Sequence, residues 1–328
     1  MRLGGKARYL CEVSSESDLA EAVHWAKDRK VPFLAIGGGS NIVWRDEGYE
    51  GLVIINCIMG LSIAKDDVDT ATIKIGAGEK WDDVVAWSVE HNLSGIEFLS
   101  AIPGKAGAAP VQNIGAYGAE LSDVIKEVSA YDSAEDSFGS ILADDCGFGY
   151  RTSRFKATDK KRFLITSLTL ELKRTNPKPP FYERLQSYLD EHKITEFTPQ
   201  VIRQAVIDIR STRLPDPAKI ANNGSFFTNP FVSQGKFESL EKEYPGIQGW
   251  PADNNQVKLA AGWLVEQAGF RGVHDTETGM ATNPAQALVL INEHAESTAD
   301  LLKFKQKIVD KVQAMFGVTL EQEPELLP

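Results

Sequence analysis

Three observations predict an α+β protein of more than one domain. Residues 1–58 alternate between apolar runs suited to buried strands and one amphipathic helical pattern. Residues 59–174 carry strand-like segments around a long Gly/Ala/Pro-rich stretch, and beyond a break near 175–200 the helical patterns become clearer. The length, 328 residues, suggests two or three domains at about 150 residues each.

The elements follow in order. In "SDLAEAVHWAKDR", Leu19, Ala22, Val23 and Ala26 recur on one helical face, with Ser17 a suitable N-cap. "VPFLAI" reads as a buried strand, "GGGSN" interrupts it, "IVW" resumes as strand, and "GLVIINC" is another. "TATIKIGAG" alternates as a strand does, and "WDDVVAWSVEHN" reads as a helix with Trp81, Val84, Val85 and Ser88 on one face. The stretch "AIPGKAGAAPVQNIGAYGAE" is too apolar for a disordered linker and too glycine-rich for a helix. "EVSAYDS" and "RFLITSLTLEL" close this block as strands. "KRTNPKPPFYERL" is dense in Pro and Lys and marks a boundary or an inserted loop near 173–182. "TPQVIRQAVIDIRSTR" predicts a helix with Thr198 at the N-cap, Pro199 at the first position, and Val201, Ile202, Ala205, Val206 and Ile209 at helical spacing. "VKLAAGWLVEQAG" predicts a second helix ending at Gly269, "ALVLIN" a strand, and "STADLLKFKQKIVDKVQAMFG" a long amphipathic helix stopped by Gly317.

Composition bounds the function. The hydrophobic fraction of 42% and charged fraction of 25% are ordinary for a soluble protein. No apolar run approaches the roughly 20 residues of a bilayer span, and "MRLGGKARYL" lacks the apolar core of a signal peptide. Cys11, Cys57 and Cys146 are odd in number and far apart, which fits a reducing cytoplasm. The net charge of −11 argues against nucleic acid and anionic membranes as partners, though not against a small anionic ligand in a locally basic site. The five histidines are dispersed without metal-ligand spacing, so no metal is expected.

Two glycine-rich segments are distinctive. "IGGGSN" follows a strand, yet the dinucleotide fingerprint counted from Gly37 needs glycine where Ile42 stands, and "IVW" continues as strand rather than opening a helix. "IPGKAG" is not a phosphate loop of the G-x-x-x-x-G-K-[ST] type, because Leu99 and Ala106 occupy required positions. Residues 37–41 and 102–118 either form a backbone nest for an anion or are two tight sheet turns without a ligand.

The remaining polar clusters each carry two readings. In "GFGYRTSRFK", Arg151 beside Tyr150 is a natural bidentate partner for a carboxylate, or part of a solvated basic loop with Arg154 and Lys156. In "NNGSFFTNP", Ser225 is a turn residue or a proton donor screened from water by two phenylalanines. "RSTRLPDPAKIANNGS" places Arg210, Arg213 and Lys219 just ahead of it, and the tail "TLEQEPELLP" offers Glu321, Glu323 and Glu325.

Taken together in their order, "GGGSN", "IPGKAGAAPVQNIGAYGAE", "GFGYRTSRFK", "LPDPAKIANNGSFFTNP", "VKLAAGWLVEQAGFRG" and "QALVLIN" resemble the UDP-N-acetylenolpyruvoylglucosamine reductase family across nearly the whole chain. The resemblance implies a two-subdomain FAD-binding half of the vanillyl-alcohol-oxidase-like type at 1–174 (subdomains about 1–58 and 59–174). It further implies an inserted substrate-loop segment at 175–200 and a C-terminal α+β substrate domain at 201–328 whose last residues return toward the flavin. FAD would be walled by Gly37, Gly38, Gly39, Ser40, Asn41, Ile102, Pro103, Gly104, Asn113, Gly115, Ala116, Tyr117, Gly118 and Ile165. UDP-N-acetylglucosamine enolpyruvate would be held by Tyr150, Tyr182, Arg210, Arg213, Asn229, Lys258 and Gln286, with Tyr182 on the loop that marks the first of the family's two subtypes.

The same resemblance implies the chemistry. NADPH gives a hydride to FAD, the reduced flavin passes it to C3 of the enolpyruvyl ether, and Ser225 protonates C2. Arg151 would stand beside the enolpyruvyl carboxylate and Glu323 on the opposite side, the latter chosen over Glu325 by an ungapped alignment from Leu320. The product, UDP-N-acetylmuramate, belongs to bacterial peptidoglycan precursor synthesis, and a monomer is expected. Two competing readings are another flavoenzyme on the same FAD scaffold and a catalytically retired UDP-sugar-binding protein. The first has no need of "GSFFTNP" or "KLAAGWLVEQAG", and the second no need of Ser225, Arg151 and Glu323 together.

Three departures accompany the resemblance. Arg213 stands where lysine usually precedes "LPDP", and the tail reads "LEQEPELL" where "LEPEVR" is common. The family also carries several residues including "NTF" ahead of "RLGGKA", so part of a flavin-adjacent strand is expected to be missing.

Overall fold

The computed structural model describes residues 1–328. Chain contacts divide it into two compact units, one of Ala7–Ser40 with Tyr49–Arg210 and one of Met1–Lys6, Asn41–Gly48 and Ser211–Pro328. The division expected at 174 and 200 differs from this grouping on two counts. The segments 1–6 and 41–48 fold with the C-terminal residues, and residues 175–210 fold with the preceding ones.

The first unit holds two sheets. A three-stranded parallel sheet has the order Ala7–Val13, Tyr49–Asn56, Phe33–Ile36, and its middle strand buries Leu52, Val53 and Ile54 in succession, as a strand covered on both faces does. Helix α1, Glu16–Asp28, packs Leu19, Val23 and Ala26 into this core. Its N-cap is Ser15, not Ser17 as expected: Ser15 has an extended backbone, and its side chain accepts from the Asp18 N–H at 3.1 Å.

The second sheet is antiparallel, in the order Ser137–Leu142, Ile125–Asp132, Phe163–Lys173, Thr70–Gly76, Leu61–Asp66. Helix α2, Trp81–Glu90, joins its core through Trp81, Val84 and Val85, three of the residues read on one face. Helices α3, Glu183–Glu191, and α4, Pro199–Ser211, pack on each other through Leu185, Leu189, Ile202, Ala205, Val206 and Ile209. Phe98, Tyr117 and Phe181 complete that cluster, which is why the chain through Arg210 belongs to this unit rather than to a domain starting at 201. Thr198 caps α4 as expected, its hydroxyl accepting from Val201 N–H at 3.3 Å.

The second unit is α+β. A four-stranded antiparallel sheet runs Asn222–Ser225, Gln286–Asn292, Met280–Asn283, His274–Asp275, and a three-stranded one Phe231–Ser233, Gln256–Leu259, Gly249–Ala252. The start of "VKLAAGWLVEQAG" is therefore strand, not helix; Val257 and Leu259 are buried through the ladder, and the helix is shorter. Helix α5 spans Gln234–Glu243, α6 Ala261–Gln267 and α7 Thr298–Phe316. A Ser297/Asp300 capping box starts α7, and Gly317 at φ +62° ends it. Phe226, Phe227, Phe304 and Phe316 are among the largest side chains of the core. "IVW" does not resume the sheet that "GGGSN" interrupts: Ile42–Trp44 pairs in parallel with the tail strand Glu325–Leu327. No helix is long and apolar enough to cross a membrane.

Candidate active site

In the first unit the two glycine-rich segments lie directly against each other. The Ser40 hydroxyl donates to the Pro103 carbonyl at 3.1 Å. A Cβ on Gly104, which sits at φ +120°, would stand 2.8 Å from Ser40 Oγ, and one on Gly38 would stand 3.4 Å from Gly104 Cα. One on Gly37 would come within 3.2 Å of Lys105 Cβ. An added Cβ at Gly37, Gly38 or Gly104 would meet Lys105, Gly104 or Ser40, so the two segments pack closely at these three glycines. Ile102 is half-buried against the antiparallel core.

The second part of the stretch is a turn with Asn113, Tyr117 and Gly118 at φ +46°, +51° and +83°. Asn113 is buried, and its side chain is spent on the turn itself, donating to Glu120, Ser122 and the Gly149 carbonyl and accepting from Ser122 N–H. Ile165 is likewise in the core, its carbonyl accepting from Asn56 at 2.7 Å. Arg151 is not part of a solvated loop. Its guanidinium donates to the Gly115 carbonyl at 2.6 Å and lies 5.1 Å above the Tyr150 ring. A Cβ on Gly115 would meet Arg151 Nη1 at 2.9 Å, so glycine there makes room for the guanidinium. Ala116 pairs with Ala119 in the short hairpin that follows.

Tyr117 and Tyr182 meet edge to face at 6.1 Å, and Gly118 faces the Tyr182 Cβ. Arg210 donates to the Ala101 carbonyl at 3.2 Å, while its Nε–H is buried with no partner in the chain. Burial pushes the Arg210 pKa down, against the opposing charges of Tyr117 and Asp82, and burial raises that of Tyr117.

In the second unit Ser225 ends the strand Asn222–Ser225 opposite Val289, half-buried between Gly224 at φ +71° and the fully buried Phe226. The Asn222 side chain holds the turn by accepting from Gly224 N–H at 2.8 Å, and Phe226 N–H donates to the Leu288 carbonyl. The tail lies along the next residues: Thr228 N–H donates to the Glu321 carbonyl, Gln322 bridges Phe227, and Glu323 N–H donates to the Phe226 carbonyl at 2.9 Å. Asn229 Oδ1 accepts from Ala261 N–H at 2.9 Å, and Gln286 Oε1 borders Gly262 on the same first turn of α6. Lys258 sits in the strand just before it, opposite Phe231 and Trp250. Arg213 keeps a buried Nε–H without a partner in the chain, and its carbonyl accepts from Asn283. Asn41 accepts Glu325 N–H on its carbonyl at 2.9 Å. Arg210 and Arg213, neighbours in the basic run, belong to different units, and Lys219 is exposed.

Residues 7–136 match an FAD binding domain, and residues 216–327 match the C-terminal domain of UDP-N-acetylenolpyruvoylglucosamine reductase. The chain is 39% identical to the UDP-N-acetylenolpyruvoylglucosamine reductase of Pseudomonas syringae pv. syringae over 321 residues, 98% of this chain and 94% of that one. The chain belongs to the UDP-N-acetylenolpyruvoylglucosamine reductase family. It is 39% identical to the reductase of Ralstonia nicotianae as well, over 99% of this chain and 95% of that one. The crystal structure of the reductase from Thermus caldophilus has the same fold, with a TM-score of 0.66 at 21% identity, covering 97% of this chain and 92% of that one. The expected fold class is borne out, an FAD-binding half followed by a C-terminal α+β domain.

The chain is thus an FAD-dependent oxidoreductase, and its residues fit the cofactor. The cradle of Gly37, Gly38 and Gly104 is one that side chains would fill. Sequence reasoning missed Asp82, which accepts from Ala101 N–H immediately before this cradle. A carboxylate in the first turn of an amphipathic helix signals only a favourable dipole interaction, so nothing in the sequence marked it.

Proposed function

We propose that this reductase converts UDP-N-acetylglucosamine enolpyruvate to UDP-N-acetylmuramate at the expense of NADPH, a step of peptidoglycan precursor synthesis. When bound, FAD supplies the two-electron transfer that delivers a hydride to C3 of the enolpyruvyl ether. The residues of 37–41, 102–104, 113 and 115–118, with Ile165, would hold it. Ser225 donates its proton to C2 as the double bond is saturated, and buried Phe226 and Phe227 limit water around that hydroxyl. Arg151, positioned by the Gly115 carbonyl and the Tyr150 ring, neutralises the substrate carboxylate onto which charge spreads. Glu323 acts on the opposite side. Tyr182 covers the substrate, while Arg210, Arg213, Asn229, Lys258 and Gln286 bind its nucleotide and sugar.

The observation that carries this reading is the setting of Ser225. A glycine at positive φ and a buried Phe pair fix its backbone, and the tail of Glu323 is bonded to the next residue. The enzyme is read as a cytoplasmic monomer, which sedimentation at working concentration tests. The decisive experiment is anaerobic. Flavin absorbance should bleach on adding NADPH and return on adding the enolpyruvyl UDP-sugar, and absorbance that stays bleached overturns the substrate assignment.

A further inference from the structure

The first turn of α2 grips the loop 99–104 at three points. The Trp81 indole N–H donates to the Leu99 carbonyl at 3.0 Å, and the Trp81 backbone N–H donates to the Gly104 carbonyl at 3.0 Å. Between them Asp82 Oδ1 accepts from Ala101 N–H at 2.6 Å. Ala101 stands at φ +57°, a left-handed conformation that a residue with a Cβ adopts only when its surroundings impose it. Its other face is held too, because Arg210 donates to the Ala101 carbonyl at 3.2 Å. Asp82 also pairs with Arg203 at two points, 2.6 and 3.0 Å.

We infer that Asp82 is a positioning residue for the reaction. By holding Ala101 left-handed it sets the path of Ile102, Pro103 and Gly104 and presents the carbonyl that orients the Arg210 guanidinium. The inference rests on taking 102–104 as a flavin wall and Arg210 as a substrate contact. Asp82 touches neither cofactor nor substrate in this arrangement. One carboxylate therefore governs two binding functions, through a single residue held against its backbone preference.

Charge on Asp82 is favoured as well. Burial works against ionisation, but the Arg203 pair, the Ala101 N–H and the nearby Arg210 outweigh it and hold the carboxyl below its usual range.

The test uses FAD titration of the apoprotein, followed by fluorescence, alongside steady-state kinetics of the reloaded enzyme. Asp82→Ala should weaken FAD binding about tenfold or more and raise KM for the enolpyruvyl UDP-sugar by a similar factor, with kcat much less affected. Adding Ala101→Gly should recover most of both losses, because glycine takes the left-handed conformation without a clamp. Arg203→Met removes the ion pair but leaves Asp82 bonded to Ala101, so its FAD affinity should stay within about twofold of the parent. Asp82→Asn keeps an acceptor toward Ala101 and should behave like Arg203→Met, which serves if Asp82→Ala does not fold. Unchanged FAD affinity in Asp82→Ala, no recovery with Ala101→Gly, or equal losses in Arg203→Met would each overturn the inference. Gly104→Ala separates the two layers. Full flavin retention there strikes the wall assignment, whereas flavin loss there beside normal binding in Asp82→Ala strikes Asp82 alone.

Discussion

The Glu323 backbone N–H donates to the Phe226 carbonyl at 2.9 Å, which binds the tail carboxylate's own residue to the neighbour of Ser225. Glu325 has a different partner, since its N–H donates to the Asn41 carbonyl and its strand pairs with Ile42–Trp44. Two residues apart in an extended chain, the two glutamates would share a face and stay indistinguishable. Pro324 ends one pairing before the other begins, and the Gln322 side chain closes the bend on the Pro324 carbonyl at 2.7 Å.

Glu323→Gln should therefore slow flavin reoxidation by the enolpyruvyl UDP-sugar by a factor of roughly 100, while Glu325→Gln leaves it near the parent rate. Anaerobic stopped-flow on both variants decides between them, and the reverse pattern moves the role to Glu325.

Ser225→Ala should leave flavin reduction by NADPH nearly intact and slow the second half-reaction about 100-fold or more, the usual loss for a general acid. Equal rates in both halves would reduce Ser225 to the end of a strand.

Gly38→Val should purify with little bound flavin. A β-carbon there would stand 3.4 Å from Gly104 Cα, and valine adds two methyl branches to that contact. The ratio of flavin to protein absorbance measures it, and full occupancy would detach this turn from the cofactor.

Glu97 is 1% exposed, with Oε1 buried and unpartnered and Oε2 accepting from Gly95 N–H. Burial raises its pKa, and the backbone N–H contacts of this turn offset that only in part. A folded-state pKa above the unfolded one contributes stability at low pH that is lost as pH rises through the folded value. Glu97→Gln removes that loss, so its Tm relative to the parent should climb on the order of 3 °C between pH 4 and pH 8. A difference that stays flat over this range refutes the titration.

The sequence read well wherever a periodic pattern met a local cap. Val84, Val85 and Trp81 lie buried on one helical face as their spacing requires, and Thr198 and Gly317 bound their helices as expected. It read poorly where partners are remote. "IVW" is a strand by composition, but its pairing with Glu325–Leu327 has no local signal. Ser17 and Ser15 are equivalent by residue type, and only the Ser15 backbone geometry chose the cap. "VKL" merged into the helix after it because a short apolar run fits either period. Among the candidate residues, Gly37, Gly38 and Gly104 stand where an added Cβ would meet Lys105, Gly104 or Ser40. Asp82 and its hold on Ala101 left no trace, since a positive φ on alanine is invisible until neighbours impose it.

The parallel pairing of Ile42–Trp44 with Glu325–Leu327 also fixes an order of events during synthesis. The ribosome releases residues 42–44 early, and their strand partner follows only after the whole of 211–324. Until then Ile42, Val43 and Trp44 form an unsatisfied apolar edge, the kind of surface that invites pairing with another nascent chain. Chains cut short before residue 325 would lose the protection of that edge.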